Sequence, residues 1–312
     1  MLKNFVVFQL AASMICFSLY PAQLLIPHSD ISTSTPEEVR EHFRSVKEGI
    51  EHRWNLFQSG RAFKPFELGK SNDALKDEFK EIRKTRELTW TTLGYEVGKH
   101  LIRNDLVRAP GCVAFDFNNT TPNYNASTMC FGNKHYLACE GPRAKDLSNF
   151  FSLLTTHRVT HLVRLTDSYE GEEKKCHPYW EGLLTESPDG TSYLNIPAET
   201  GSYTIHAFDM AYWKDNQGVN PNQLLALVLE VREALRKDPS SLLVVHCSAG
   251  VGRTGTFLAS LEIVDAIDRG DAFSIEEIVY RLSLQRTRCV AKLGQYITLH
   301  RLAEAYLTQA SS

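Results

Sequence analysis

A continuous apolar run, Leu242-Leu-Val-Val-His246, passes directly into Cys247-Ser-Ala-Gly-Val-Gly-Arg253-Thr254-Gly255, and a helical pattern, Phe257-Leu-Ala-Ser-Leu-Glu-Ile-Val, follows at once. The run is bounded by Pro239-Ser-Ser and has the unbroken apolar character of a strand buried on both faces. A strand, a glycine-bearing loop and a helix in that order can wrap successive backbone N–H groups around an anion at the helix N-terminus. Gly250 and Gly252 permit the tight curvature. Arg253 returns to the same cradle, where its planar fork can take two phosphate oxygens at once. That positive environment lowers the pKa of Cys247. The spacing therefore predicts a thiolate nucleophile inside a phosphate site, and a cysteinyl-phosphate intermediate.

The chain has 312 residues, 43% of them apolar, enough for one or two domains with a sizeable core. With 34 basic against 37 acidic side chains the net charge is −3, and no long basic run occurs. Nothing in that balance marks a nucleic-acid-binding surface. Seven cysteines are too sparse for a disulfide scaffold, and none shows the paired spacing of a zinc site.

The N-terminus reads Met1-Leu2-Lys3-Asn4 and then an apolar run from Phe5 to Leu19. One basic residue before a short apolar stretch predicts a secretory signal peptide over 1–22, cleaved after Ala22; a membrane anchor is the alternative. Export would carry six cysteines out of the cytoplasm, to a secreted or periplasmic location. It would also make the sequons headed by Asn118, Asn119 and Asn125 relevant in a eukaryotic secretory route.

Thr35-Pro36-Glu37-Glu38 has the pattern of a helix start, with Thr as N-cap, Pro at the first helical position and Glu at the third. Val39, Phe43, Val46, Ile50 and Trp54 follow at helical spacing, an apolar stripe that reads as core packing. A second helix begins near Ser71-Asn72-Asp73, with Leu75, Phe79 and Ile82 on one face. Further helices are expected over 149–157, 224–235, 275–284 and 295–307, and an inner strand over 161–165. The strand–helix alternation around 205–265 predicts a mixed sheet flanked by helices, an α/β fold of the α+β type.

With His246 before it and Thr254 after it, the loop resembles the HCxAGxGR[ST]G signature of the cysteine-dependent protein tyrosine phosphatases at every position. The family's other markers have counterparts in the same order. Leu75-Lys-Asp-Glu-Phe79-Lys-Glu-Ile82 resembles its FxxEFxxI helix, and Asn125-Ala126-Ser127 its YINAS strand. Tyr136-Leu-Ala-Cys-Glu-Gly141-Pro142 is similar to YIATQGP, and Lys175-Cys176-His-Pro-Tyr179-Trp180 to KCxxYW. The resemblance covers residues 72–309, leaving 23–71 as an N-terminal helical extension. It implies the highly twisted mixed sheet of that family and a phosphotyrosine protein or peptide as partner. It also implies no metal or other cofactor, since the loop and Arg253 supply the positive field.

The resemblance also assigns roles. Cys247 attacks phosphorus. Arg253 and the backbone of Ser248, Ala249, Gly250, Val251 and Gly252 hold the phosphate. Thr254 donates to the sulfur as it leaves, His246 orients the loop, and Glu170 positions Arg253. Trp213-Lys214-Asp215-Asn216-Gln217-Gly218 resembles the WPDxGV loop and makes Asp215 the general acid when counted from Trp213. Counting back from Gly218 gives Asn216. Gln295 matches the second glutamine of the water-aligning QTxxQ stretch, with Ala291 at the first. Lys214 and Ala291 thus depart from the pattern. So does Ala109, which stands where a tyrosine flanks the substrate ring; Phe115, Phe117 or Tyr124 could replace it, or could be plain core. Those departures keep two alternatives open: a phosphate-binding pseudophosphatase, and a dual-specificity or phosphoinositide phosphatase. The loop contains no lysine at 248–252, which favours phosphotyrosine over phosphoinositide.

Overall fold

A computed structural model describes residues 35–198, 201–238 and 240–310. The expected signal peptide lies outside those residues. The chain opens on helix α1, Pro36–Gln58, where Thr35 and Glu38 form the reciprocal capping box that the sequence pattern predicts. Its buried stripe joins two clusters. Val46 and Ile50 pack with Cys130, and Trp54 and Phe57 enter the main core. Helix α2, Asn72–Thr92, starts at a Ser71 cap and buries Leu75, Phe79, Ile82, Arg86 and Thr89. A short α3, Lys99–Arg103, precedes the sheet.

The main sheet has seven strands in the order β1-β2-β9-β3-β8-β7-β6. These are β1 Ala126–Phe131, β2 Lys134–Cys139, β3 His161–Arg164, β6 Leu184–Glu186, β7 Ser192–Ala198, β8 Gly201–Asp209 and β9 Leu243–His246. Strands β2, β9, β3 and β8 run parallel, while β1 and the β8-β7-β6 meander pair antiparallel, so the sheet is mixed as expected. A separate hairpin joins β4, Tyr169–Glu170, to β5, Glu173–Lys174.

All four residues of β9 are buried, because cores lie on both faces of the sheet. Leu243 and Val245 join Ala138 and Val163 on one side. Val244 joins Leu137 and Leu162 on the other, against Phe150, Leu153 and Leu154 of α4, Leu147–Thr156. On the first side stand α5, Pro221–Lys237, α6, Gly252–Arg269, α7, Ile275–Ser283, and α8, Leu293–Ala310. Helix α6 is buried almost without a break from Gly252 to Ala266, so it is the helix the others surround. Its Gly270 C-cap adopts φ 69°, the left-handed turn that glycine takes without strain. His246 pairs laterally with Cys139 of β2 and Arg164 of β3. Cys247 therefore emerges at the carboxyl ends of three adjacent parallel strands, where α/β sheets place their ligands.

Candidate active site

Residues 247–253 bridge the end of β9 and the start of α6, whose first-turn N–H groups have no intrahelical acceptor. Gly250 sits at φ 69°, and a Cβ there would lie 2.1 Å from the Cys139 carbonyl oxygen, so only glycine fits. Behind the loop, Arg286 is fully buried and donates from Nε to the Gly250 carbonyl at 2.6 Å and from Nη1 to Ser127 Oγ at 3.0 Å. His246 donates or accepts at both ring nitrogens, with Tyr179 Oη at 2.6 Å and the Cys247 carbonyl at 3.1 Å. Burial pushes its pKa down to about 3, so the ring stays neutral and serves as a strut.

Burial alone would push the Cys247 thiol up. The Arg253 guanidinium and the hydroxyl and backbone N–H of Thr254 outweigh it and bring the thiol below its ordinary value. The contrast with the other thiols is informative. Burial drives Cys112, Cys130, Cys139, Cys176 and Cys289 upward, so among the described residues only the cysteine in the loop is poised to ionise.

Arg253 is fully buried and held by two acceptors on one nitrogen. Its Nη1 donates to Glu170 Oε1 and to the Trp213 carbonyl, both at 2.6 Å. Its Nε and Nη2 are buried and make no hydrogen bond, and Nη2 faces the Asp215 carboxylate as an ion pair at 3.4 Å. Buried donors are ordinarily satisfied. A guanidinium edge with unspent hydrogen-bond donors beside a lowered thiol is a fork suited to an oxyanion.

The two residues reached by counting from Trp213 and from Gly218 are placed differently. Asp215 turns toward the cradle, with Oδ1 3.4 Å from Arg253 Nη2 and Oδ2 3.1 Å from Lys175 Nζ. Asn216 is exposed and adopts φ 61°, a left-handed conformation that asparagine tolerates. The additional residue is thus taken up after the carboxylate. Lys214 projects into solvent where the family's proline would stand. The loop is nevertheless pinned: Trp213 is buried, its Nε1 donates to the Gln217 carbonyl at 3.0 Å, and its own carbonyl accepts from Arg253. Glu170 completes the arrangement by accepting the Asp215 backbone N–H on Oε2 at 2.8 Å, while Oε1 holds Arg253.

Gln295 is buried, and its Oε1 accepts the Ala291 and Lys292 N–H groups at 3.0 and 3.1 Å. A Cβ on Gly252 would meet Gln295 Nε2 at 2.8 Å and the Ala291 methyl at 3.4 Å. Both positions of the glutamine stretch therefore abut the loop. Ala109 is half-buried, and the aromatic side chains considered as substitutes are committed elsewhere. Phe115 and Phe117 stack on each other and meet Tyr95 edge-on, while Tyr124 packs on Phe150 and donates to the Glu140 carbonyl at 2.8 Å.

Three contributors escaped sequence reasoning. Lys175, which faces Asp215, was visible only as the first letter of a motif. Arg286 had no signal at all, since nothing distinguishes it in sequence from the neighbouring Arg281 and Arg288. Glu140 stands where the YIATQGP pattern has glutamine; it is fully buried and accepts from the Arg108 backbone N–H and from Asn125 Nδ2. Burial pushes its carboxyl up, toward the neutral form that resembles glutamine. Two of the sequons are also accounted for. Asn118 and Asn125 are buried and spend their amides on internal bonds, so neither is a glycan acceptor in the folded chain.

The family model described as protein-tyrosine phosphatase matches residues 112–196 and 189–304. The chain belongs to the protein-tyrosine phosphatase family. Among curated relatives, the receptor-type tyrosine-protein phosphatase eta of Gallus gallus is 27% identical over 229 residues, covering 67% of this chain and 16% of that protein. The receptor-type tyrosine-protein phosphatase C of Rattus norvegicus is 31% identical over 199 residues, or 55% of this chain and 15% of that protein. This chain thus spans less than a fifth of either relative. Among solved structures, PTPN18 in complex with a HER2 phosphopeptide superposes with a TM-score of 0.67 at 20% identity, covering 85% of this chain and 99% of that one. The Trypanosoma cruzi protein tyrosine phosphatase TcPTP1 gives 0.65 at 20%, covering 76% and 91%. The fold is that of the protein tyrosine phosphatases.

Proposed function

We propose that this chain hydrolyses phosphotyrosine in proteins or peptides through a cysteinyl-phosphate intermediate. The observation that carries the proposal is the buried Arg253 guanidinium, with Nε and Nη2 making no hydrogen bond, beside the one thiol among the described residues that its surroundings lower. The phosphate oxygens dock on Arg253 and the loop N–H groups. Cys247 Sγ then attacks phosphorus in line as the P–O ester bond breaks. Asp215 delivers its proton to the departing tyrosyl oxygen. Water then attacks phosphorus, Asp215 takes its proton, the S–P bond breaks, and Thr254 stabilises the departing thiolate. Gln295, held against Gly252, stands where that water is aligned. The same cradle without turnover would make the chain a phosphate-binding module.

Asp215→Asn separates these readings. A phenol is a poor leaving group and p-nitrophenol a good one. The variant is therefore expected to lose about 10²-fold in kcat on a phosphotyrosine peptide but only a few-fold on p-nitrophenyl phosphate. Equal losses on both substrates would remove Asp215 from the acid's role, and absence of wild-type turnover would establish the binding module.

A specific observation supports a broader substrate range as a second reading. Ala109 provides no ring to stack on, and the nearby aromatics are built into the core. Comparable kcat/KM on phosphoserine and phosphotyrosine peptides would mark dual specificity.

We further propose that residues 1–22 direct export, on the strength of the Phe5–Leu19 run after Lys3. Expression of the full chain should yield an exported product beginning at Gln23. Retention of Met1 on a cytoplasmic product would refute export.

A further inference from the structure

Helix α1 lies outside the residues matched by the family model, and it is held in two unlike halves. Its second half enters the main core through Trp54 and Phe57, and Glu51 pairs with Arg281 of α7 at 3.1 Å. Its first half rests on a cluster of imidazoles. His42 lies beside His157, the C-cap of α4, with ring centroids 6.3 Å apart. The next residue, Phe43, contacts both His157 and His135 of β2, at 6.5 and 5.0 Å between centroids. Val46 then packs with Cys130 of β1. Between the halves stands Gly49, a residue type that weakens a helix interior.

Among the described residues no carboxylate pairs with a ring of this cluster. His42 Nε2 and His157 Nδ1 are buried without a hydrogen-bond partner, and His135 Nδ1 meets the Cys130 sulfur at 3.3 Å. The acids of α1 are engaged elsewhere. Glu38 accepts the Thr35 N–H, Glu41 pairs with Arg44, and Glu51, the one acid whose field reaches Cys130, is turned to Arg281. The charge nearest His135 is a cation, Lys47, which bonds Asn133 Oδ1 at 2.7 Å. The loop before β1 offers His157 only the backbone of Thr120. Nor do these groups converge on a point: no three of the described histidines, cysteines and acids are placed to share a metal ion. Burial lowers the pKa of all three rings, and with the help of His42 it brings His157 to about 4.

We infer that the first half of α1, residues 36–48, is an acid-released arm: protonation of His42 and His157 lifts it from its seat about Gly49, while the half that carries Trp54 stays docked. The docked arm requires neutral rings, because two neighbouring imidazolium ions buried without a carboxylate repel each other and lack solvation. Uncovered, the rings recover the ordinary histidine pKa near 6.5. A group whose pKa is lowered in the docked state contributes fully above its free value and loses that contribution as the pH falls. Docking is therefore strongest above about pH 6.5 and weakens toward pH 4. Between pH 7.5 and 5.0 His157 alone shifts the balance toward release by about 30-fold, and His42 adds to it.

Hydrogen exchange of the full chain, corrected for the intrinsic pH dependence of amide exchange, tests this with the second half of the same helix as reference. Protection of amides 40–48 relative to amides 50–57 should fall by about 30-fold or more from pH 7.5 to pH 5.0. His42→Gln with His157→Gln should abolish that fall. His42→Lys, which places a permanent charge on the seat, should open the arm already at pH 7.5. A wild-type ratio that does not change with pH, or one that falls as far in the double variant, overturns the arm. Equal loss of protection in both halves at pH 5.0 overturns the hinge at Gly49. If the double variant does not fold, His42→Lys decides alone, and full protection of amides 40–48 in that chain at pH 7.5 refutes release by charge. None of these readouts depends on turnover, so they stand apart from the phosphatase reading.

Discussion

Cys247→Ser is expected to reduce turnover of p-nitrophenyl phosphate by about 10⁴-fold or more while leaving phosphopeptide binding within tenfold of wild type. The field of Arg253 and Thr254 that brings a thiol below its ordinary value falls far short of ionising a serine hydroxyl. Nothing else in the site changes, because Glu170, Trp213 and the unspent donors of Arg253 do not depend on the sulfur. Loss of a thiolate from beside an incoming dianion removes a repulsion, so affinity is expected to hold or improve. Steady-state kinetics and fluorescence anisotropy with a labelled phosphopeptide measure the two quantities. Residual activity above about one per cent of wild type would place the nucleophile elsewhere.

Arg253→Met is expected to lower kcat/KM by roughly 10³-fold, since it removes the donors that face the developing charge and leaves Glu170 without its partner. The pH profile carries a second signature. With the guanidinium gone, burial is opposed chiefly by Thr254 and the Cys247 pKa rises. Thiolate exists above that pKa, so the limb on which activity rises with pH should move to higher pH. A rate loss with an unmoved limb would show that Arg253 binds substrate without setting the nucleophile's ionisation.

The parts of the site that chemistry constrains by residue type were readable from the chain. A thiol and a guanidinium at fixed spacing, between a buried strand and a helix, leave few other arrangements, and β9, the loop and α6 follow that pattern. The cap at Thr35 and the stripe through Trp54 were legible for the same reason, since helical periodicity and capping act locally. What failed to show was anything whose role depends on long-range packing. The bolt formed by Arg286 joins segments more than 150 residues apart. Phe115, Phe117 and Tyr124 read equally well as site or core until their ring partners were known. That Asp215 faces Arg253 while Asn216 takes a left-handed turn in solvent could not be read from the sequence. Gln295 matched a motif position, but its burial and its approach to Gly252 depend on packing that the sequence does not display.

One carboxylate, Glu170, grips the phosphate-binding arginine with one oxygen and the backbone of the acid-bearing loop with the other. Occupancy of the cradle and posture of the loop are therefore thermodynamically linked, and the linkage is reciprocal. Whatever steadies Arg253 also steadies Asp215, and a displaced loop slackens the anion site. On the proposed reaction, inorganic phosphate in the cradle would favour the loop position described above. On that reaction, movement of the loop and departure of the product would be coupled, and turnover would be sensitive to the loop as well as to the sulfur.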